Sequence, residues 1–168
     1  MGRRAPLGLL ILAALVTAAS TLAASADNWR TYQNDRYGTT IDYPDFFTAG
    51  PPPANDDGLS FKTAGAAFSV FASFNAADYN LAGYQDFIVK NLEAGAAVTY
   101  QAHSDNWFVI SGTKGSGDIF YERHLLSHGK ELTEGFVISY PARLKQKYDP
   151  IAARMSKSFR SGKGFQTQ

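Results

Sequence analysis

The run Asp118-Ile-Phe-Tyr-Glu-Arg-His-Leu-Leu-Ser127 constrains the fold more than any other segment, because its apolar residues fall on both parities. Read as a strand, it puts Ile119, Tyr121 and Leu125 on one face and Phe120 and Leu126 on the other. A strand apolar on both sides has to be covered on both sides. Its flanking connections, Thr113–Gly117 and His128-Gly129-Lys130, are of hairpin length. The neighbouring strands Asn106–Gly112 and Glu131–Tyr140 therefore pair with it antiparallel. A strand at Ala97–Gln101 precedes them across Ser104-Asp105, and the meander stops at Pro141, which cannot continue a ladder.

Two amphipathic helices are available as covers. Leu81, Tyr84, Phe87, Ile88 and Leu92 recur at helical spacing, with Asp78 or Asn80 as cap and Gly95 as a left-handed stop. Asp149-Pro150 reads as a second start, with Asp as cap and Pro at the first helical position. Ile151, Met155 and Phe159 then form one apolar stripe. Upstream, Asp27–Tyr32 reads as a polar entry and Gly38–Pro44 as a strand. Pro51–Gly58 reads as a surface loop, and Leu59–Lys62 with Ala67–Phe74 as a hairpin around Ala64-Gly65. The expected class is α+β: an antiparallel β-sheet of about six strands sandwiched between helices.

The amino terminus is an address. Arg3 and Arg4 precede the apolar stretch Leu7–Val16, and small residues lead to Ala24-Ser25-Ala26. That order is a secretory signal peptide over residues 1–26. The expected organisation is that segment, one α+β domain over 27–160 and a flexible tail over 161–168. Cleavage removes two arginines and no acid, moving the formal charge from +1 to −1. Such a balance gives no field to gather nucleic acid, and no second apolar span suggests stable membrane insertion. The chain has no cysteine, which excludes disulfides, thiolate metal sites and a cysteine nucleophile. An exported chain without cysteine fits a bacterial periplasm or exterior.

The order of short motifs carries a resemblance. Trp29, Tyr32 and Asn34-Asp-Arg-Tyr-Gly38 come first, then Ile41-Asp-Tyr-Pro44. Trp107-Phe-Val-Ile-Ser-Gly112, Phe120-Tyr-Glu-Arg123, Tyr140-Pro141 and Asp149-Pro150 follow, before Ser158-Phe159. This resembles small secreted bacterial proteins of the PsbP-like fold across nearly all of residues 29–160. The resemblance implies an antiparallel sheet between helices and a non-catalytic accessory or binding role. Nothing here matches the residues that would mark a photosynthetic role.

Most candidate chemistry has a plainer reading. His124 and His128 are four apart, which on a strand is roughly 13 Å, too far for one metal. His103 stands alone in sequence. Gly112-Thr-Lys-Gly-Ser-Gly117 has the wrong order for a phosphate loop and continues into a strand. Asp56-Asp57 reads as a solvated turn. Lys145, Lys147, Arg154, Lys157, Arg160 and Lys163 read as solvated helix charge.

Tyr121-Glu-Arg-His124 resists dismissal, because charges in a covered strand need partners. Glu122 and His124 share one face, Tyr121 and Arg123 the other. Arg123 is expected to be held by a carboxylate or a bound anion. The candidate ligand-binding residues are Trp107, Tyr121 and Arg123, with no cofactor and no metal. The leading expectation is a non-enzymatic exported binding or accessory module for a protein or small-molecule ligand. One alternative is a periplasmic hydrolase or lyase using Glu122 and His124 as an acid–base pair. The other is an extracellular protein-interaction factor.

Overall fold

The computed structural model describes residues 28–163. The signal-peptide reading of residues 1–26 and the end of the tail lie outside them. Nine strands and two helices follow in chain order. A hairpin of β1 (Trp29–Gln33) and β2 (Thr40–Pro44) leads to β3 (Thr48–Ala49), β4 (Gly58–Thr63) and β5 (Ala66–Phe74). Then come α1 (Leu81–Lys90), β6 (Ala97–His103), β7 (Trp107–Thr113), β8 (Asp118–Ser127), β9 (Leu132–Pro141) and α2 (Lys145–Ser158). Strands β3 to β9 form one seven-stranded sheet in the order β3-β4-β5-β9-β8-β7-β6, antiparallel throughout. The chain leaves the middle of the sheet at β5, crosses through α1 and re-enters at the far edge.

The register makes β8 an interior strand, paired with β7 and β9 over its length. Its two faces meet different covers. Leu125 joins Phe136, Ile138, Ile151, Met155 and Phe159 beneath α2, with Ile119 and Tyr121 packed alongside. Phe120 joins Phe108, Ile110 and Tyr84 beneath α1. The doubly apolar strand thus dictates a sheet sandwiched between helices, as its sequence requires. At the edge strand β6 the register slips between Val98 and Tyr100, leaving Thr99 as a bulge.

Two local expectations need correction, and one choice between two caps is settled. Trp29–Tyr32 is a strand, not an entry loop. Its large residues are three apart, which hides the two-residue period, and pairing with β2 supplies the order the pattern lacks. Helix α1 ends at Asn91, whose N–H reaches Phe87 and Ile88, four residues before the left-handed Gly95. Asn80, not Asp78, is its cap, accepting from the Gly83 N–H at 2.8 Å.

The largest correction concerns α2, which begins at Lys145 and carries Pro150 in its interior. The chain turns directly after Pro141 through a 3-10 turn at Ala142–Leu144. Tyr148 then stacks on Tyr140 and sets its ring edge against Phe47. That anchor outweighs the one backbone bond Pro150 cannot make. Asp149 serves not as a cap but as acceptor for the Tyr140 hydroxyl at 2.8 Å and ion-pair partner of Lys145.

The end of the described chain is tied down. Arg160 and Thr40 exchange both backbone hydrogen bonds, and Gly162 packs against the backbone of Gly38 too closely to admit a side chain.

Candidate functional site

The α2-facing side of β8 brings the three candidate residues together. The Arg123 guanidinium lies over the Trp107 ring, 4.8 Å from its centroid. Its Nη1 donates to the Ser156 carbonyl at 2.6 Å and to the Ser156 hydroxyl at 3.3 Å. The Tyr121 hydroxyl donates to the same Ser156 Oγ at 2.8 Å. Ser156 lies in the last turn of α2, where carbonyls lack intrahelical partners and the helix dipole is negative. The N–H four residues on, that of Arg160, is spent on Thr40.

Arg123 therefore caps a helix end. The expected carboxylate or bound anion is replaced by a carbonyl, which satisfies a cation here because the dipole adds to it. Burial holds the guanidinium below its ordinary pKa, and burial pushes the Tyr121 phenol up. The Arg123 Nε is buried and has no hydrogen-bond partner.

Beside this group runs a cleft of about 330 Å³ between α2 and the outer strands. Tyr100, Ser111, Tyr121, Tyr140, Asp149 and Ala153 line it. Tyr100, 55% exposed, forms its outer rim.

The α1-facing side carries a buried polar chain. His124 is 1% exposed and Glu122 9%. His124 Nε2 donates to Glu122 Oε2 at 3.0 Å, since a carboxylate only accepts. Nδ1 shares a hydrogen bond with the Tyr84 hydroxyl at 3.1 Å. The imidazole stacks on Phe108 with centroids 4.8 Å apart. Gly135, opposite on β9, makes room for it: a Cβ there would come within 2.8 Å of His124 Nδ1 and 2.6 Å of Phe71. Burial pushes the Tyr84 phenol far above its ordinary value, with Glu122 and Glu134 adding to the shift.

Sequence reasoning missed Glu134, which is fully buried. Its carboxylate accepts from Thr39 Oγ1 and, at 2.6 Å, from Ser127 Oγ. The signal was present: Leu132, Glu134, Phe136, Ile138 and Tyr140 share one parity, and one of them is charged. Ser127 also walls a cleft of about 700 Å³ at the end of the sheet, between the Asp105-Asn106 turn and His128–Lys130. His128 Nε2 and Ser161 Oγ meet there at 3.1 Å. Glu122 and His124 line neither cleft. Among the described residues no three His, Cys, Asp or Glu side chains gather as a metal site.

No protein-family model and no curated protein matches the sequence. Solved structures do. The solution structure of cyanobacterial PsbP (CyanoP) from Synechocystis sp. superposes with a TM-score of 0.60 at 12% identity, covering 88% of this chain and 98% of that one. The Saccharomyces cerevisiae Ran-binding protein Mog1p gives 0.57 at 10% identity, over 79% of this chain and 95% of its own. A Mog1 mutant gives 0.55 at 11%. At such identities the likeness is one of architecture, and on it the chain has the PsbP-like fold.

Proposed function

We propose that this chain is an exported, non-enzymatic binding or accessory module. It recognises a protein partner across the α2-facing side of β6 to β8, with Trp107, Tyr121 and Arg123 in the recognition surface. The observation that carries this reading is the state of Arg123. Its charge is stacked on an aromatic ring and bonded to a helix carbonyl, and among the described residues no carboxylate pairs with it. Arginine on an aromatic beside an exposed tyrosine is the composition of an interface centre. The fold has a precedent for such use, since Mog1p is a Ran-binding protein. A non-catalytic role is supported by the placing of Glu122 and His124, which bond to each other and to Tyr84 and line neither cleft. Export rests on the amino-terminal pattern, and the secreted form is expected to begin at Asp27.

The test is capture from an extract of the exported fraction, comparing the protein with Tyr100→Ala and Arg123→Ala. Tyr100→Ala changes an exposed rim residue and is expected to keep the melting temperature and lose the partner. Arg123→Ala is expected to weaken both. Identical capture by all three proteins would remove this surface from recognition.

A further inference from the structure

We propose that the outward surface of α2 docks on an anionic membrane surface. The charge of this chain is unevenly placed. From Arg143 to Lys163 there are seven lysines and arginines against one acid, Asp149, whereas the whole chain has 16 against 15. That acid is turned to Tyr140 and Lys145. Lys147, Arg154 and Lys157 are exposed, and none is in an ion pair.

Read from sequence these are solvated charges. The fold adds aromatic rings beneath two of them. Lys147 Nζ stands 5.0 Å from the ring of Phe46, which is 37% exposed and comes from the turn between β2 and β3. The Arg154 guanidinium stands 3.9 Å from the half-buried ring of Trp29 on β1. Separate segments thus set a basic residue beside an aromatic one on the same exposed surface. At a bilayer boundary the exposed Phe46 settles among the upper acyl chains while the cations stay with the phosphates, and Trp29, packed on the core, fixes Arg154 in place. None of these three basic residues lines the cleft beside Tyr121.

The test is partition of the full chain between buffer and vesicles of phosphatidylglycerol with phosphatidylcholine, or of phosphatidylcholine alone. The difference between the two bilayers reads the charge-dependent part. Substituting Lys147, Arg154 and Lys157 together by Gln is expected to lower partition to the anionic vesicles by about a hundredfold, leaving the neutral vesicles unaffected. Salt at about 1 M abolishes the difference. Phe46→Ser lowers anionic partition several-fold and keeps the salt dependence. Melting temperatures within a few degrees of the unaltered protein show that the variants are folded. Equal partition of the triple variant and the unaltered chain would overturn the proposal. So would binding to polyglutamate beads with no preference for anionic vesicles, which would assign the surface to an acidic protein instead.

Discussion

The two helices cover the same sheet in opposite ways. Helix α2 has 14 residues and buries Tyr148, Ile151, Ala152 and Met155 in a cluster that draws on β2, β4, β5, β8 and β9. Helix α1 has 10 residues and buries Tyr84 alone, against Phe108, Ile110 and Phe120. The α2 side is held by apolar area, which does not depend on direction. The α1 side has a smaller apolar contact, in which half-buried Leu81, Ile88 and Val89 pack around Tyr84, whose hydroxyl meets His124. What covers the sheet and what a cover depends on are separate questions, and each helix answers them differently.

The largest test of that contrast is on the α2 side. Phe159, 3% exposed and edge-on to Phe136, is expected to cost about 3–5 kcal/mol when cut to Ala, read as a shift in the urea midpoint. An unchanged midpoint would make α2 the peripheral helix. Next comes Tyr84→Phe, which removes no apolar area but strands a buried nitrogen of His124. It is expected to cost about 1–3 kcal/mol, read as a fall in the urea midpoint. If Phe in that position is harmless alone, polar satisfaction does not hold α1.

Arg123→Ala bears on the α2 end and should cost about 1–2 kcal/mol, for an uncapped carbonyl and a lost stacking contact. Amide exchange sharpens the comparison without mutation, since α1 should open before α2.

The smallest effect appears only in alkali. Burial raises the phenols of Tyr84, Tyr121 and Tyr140 above their ordinary 10.0 in the folded state. A folded pKa above the unfolded one means that the stability these groups lend is complete below about pH 10 and is lost as pH rises past it. Phenolate absorbance from them should grow together with unfolding.

The sheet was legible because β5 to β9 announce themselves by period and by short connections, and β8 matched its expected bounds at both ends. The helices were legible as stripes but not at their ends. Pro150 carried a strong local start signal that packing of Tyr148 on Tyr140 overrode. The β5–β9 pairing was invisible: nothing in the sequence joins the hairpin to the meander there, because that neighbour relation spans α1 and three strands. Of the site, the parity argument put Glu122 with His124 and Tyr121 with Arg123 on opposite faces. It could not supply Ser156 or Tyr84, which reach them from helices 33 and 40 residues away in sequence.

The bulge at Thr99 has a consequence for the life of the protein in a crowded compartment. Strand β6 ends the sheet with Ala97-Val-Thr-Tyr-Gln-Ala-His103, a run without lysine, glutamate or proline to discourage another chain from adding to it. An extra residue breaks the even spacing of its free N–H and carbonyl groups, so an incoming strand cannot keep register along it. Deleting Thr99 would straighten this rim into a template, and the variant should form oligomers enriched in intermolecular β-structure at concentrations where the unaltered protein stays dispersed.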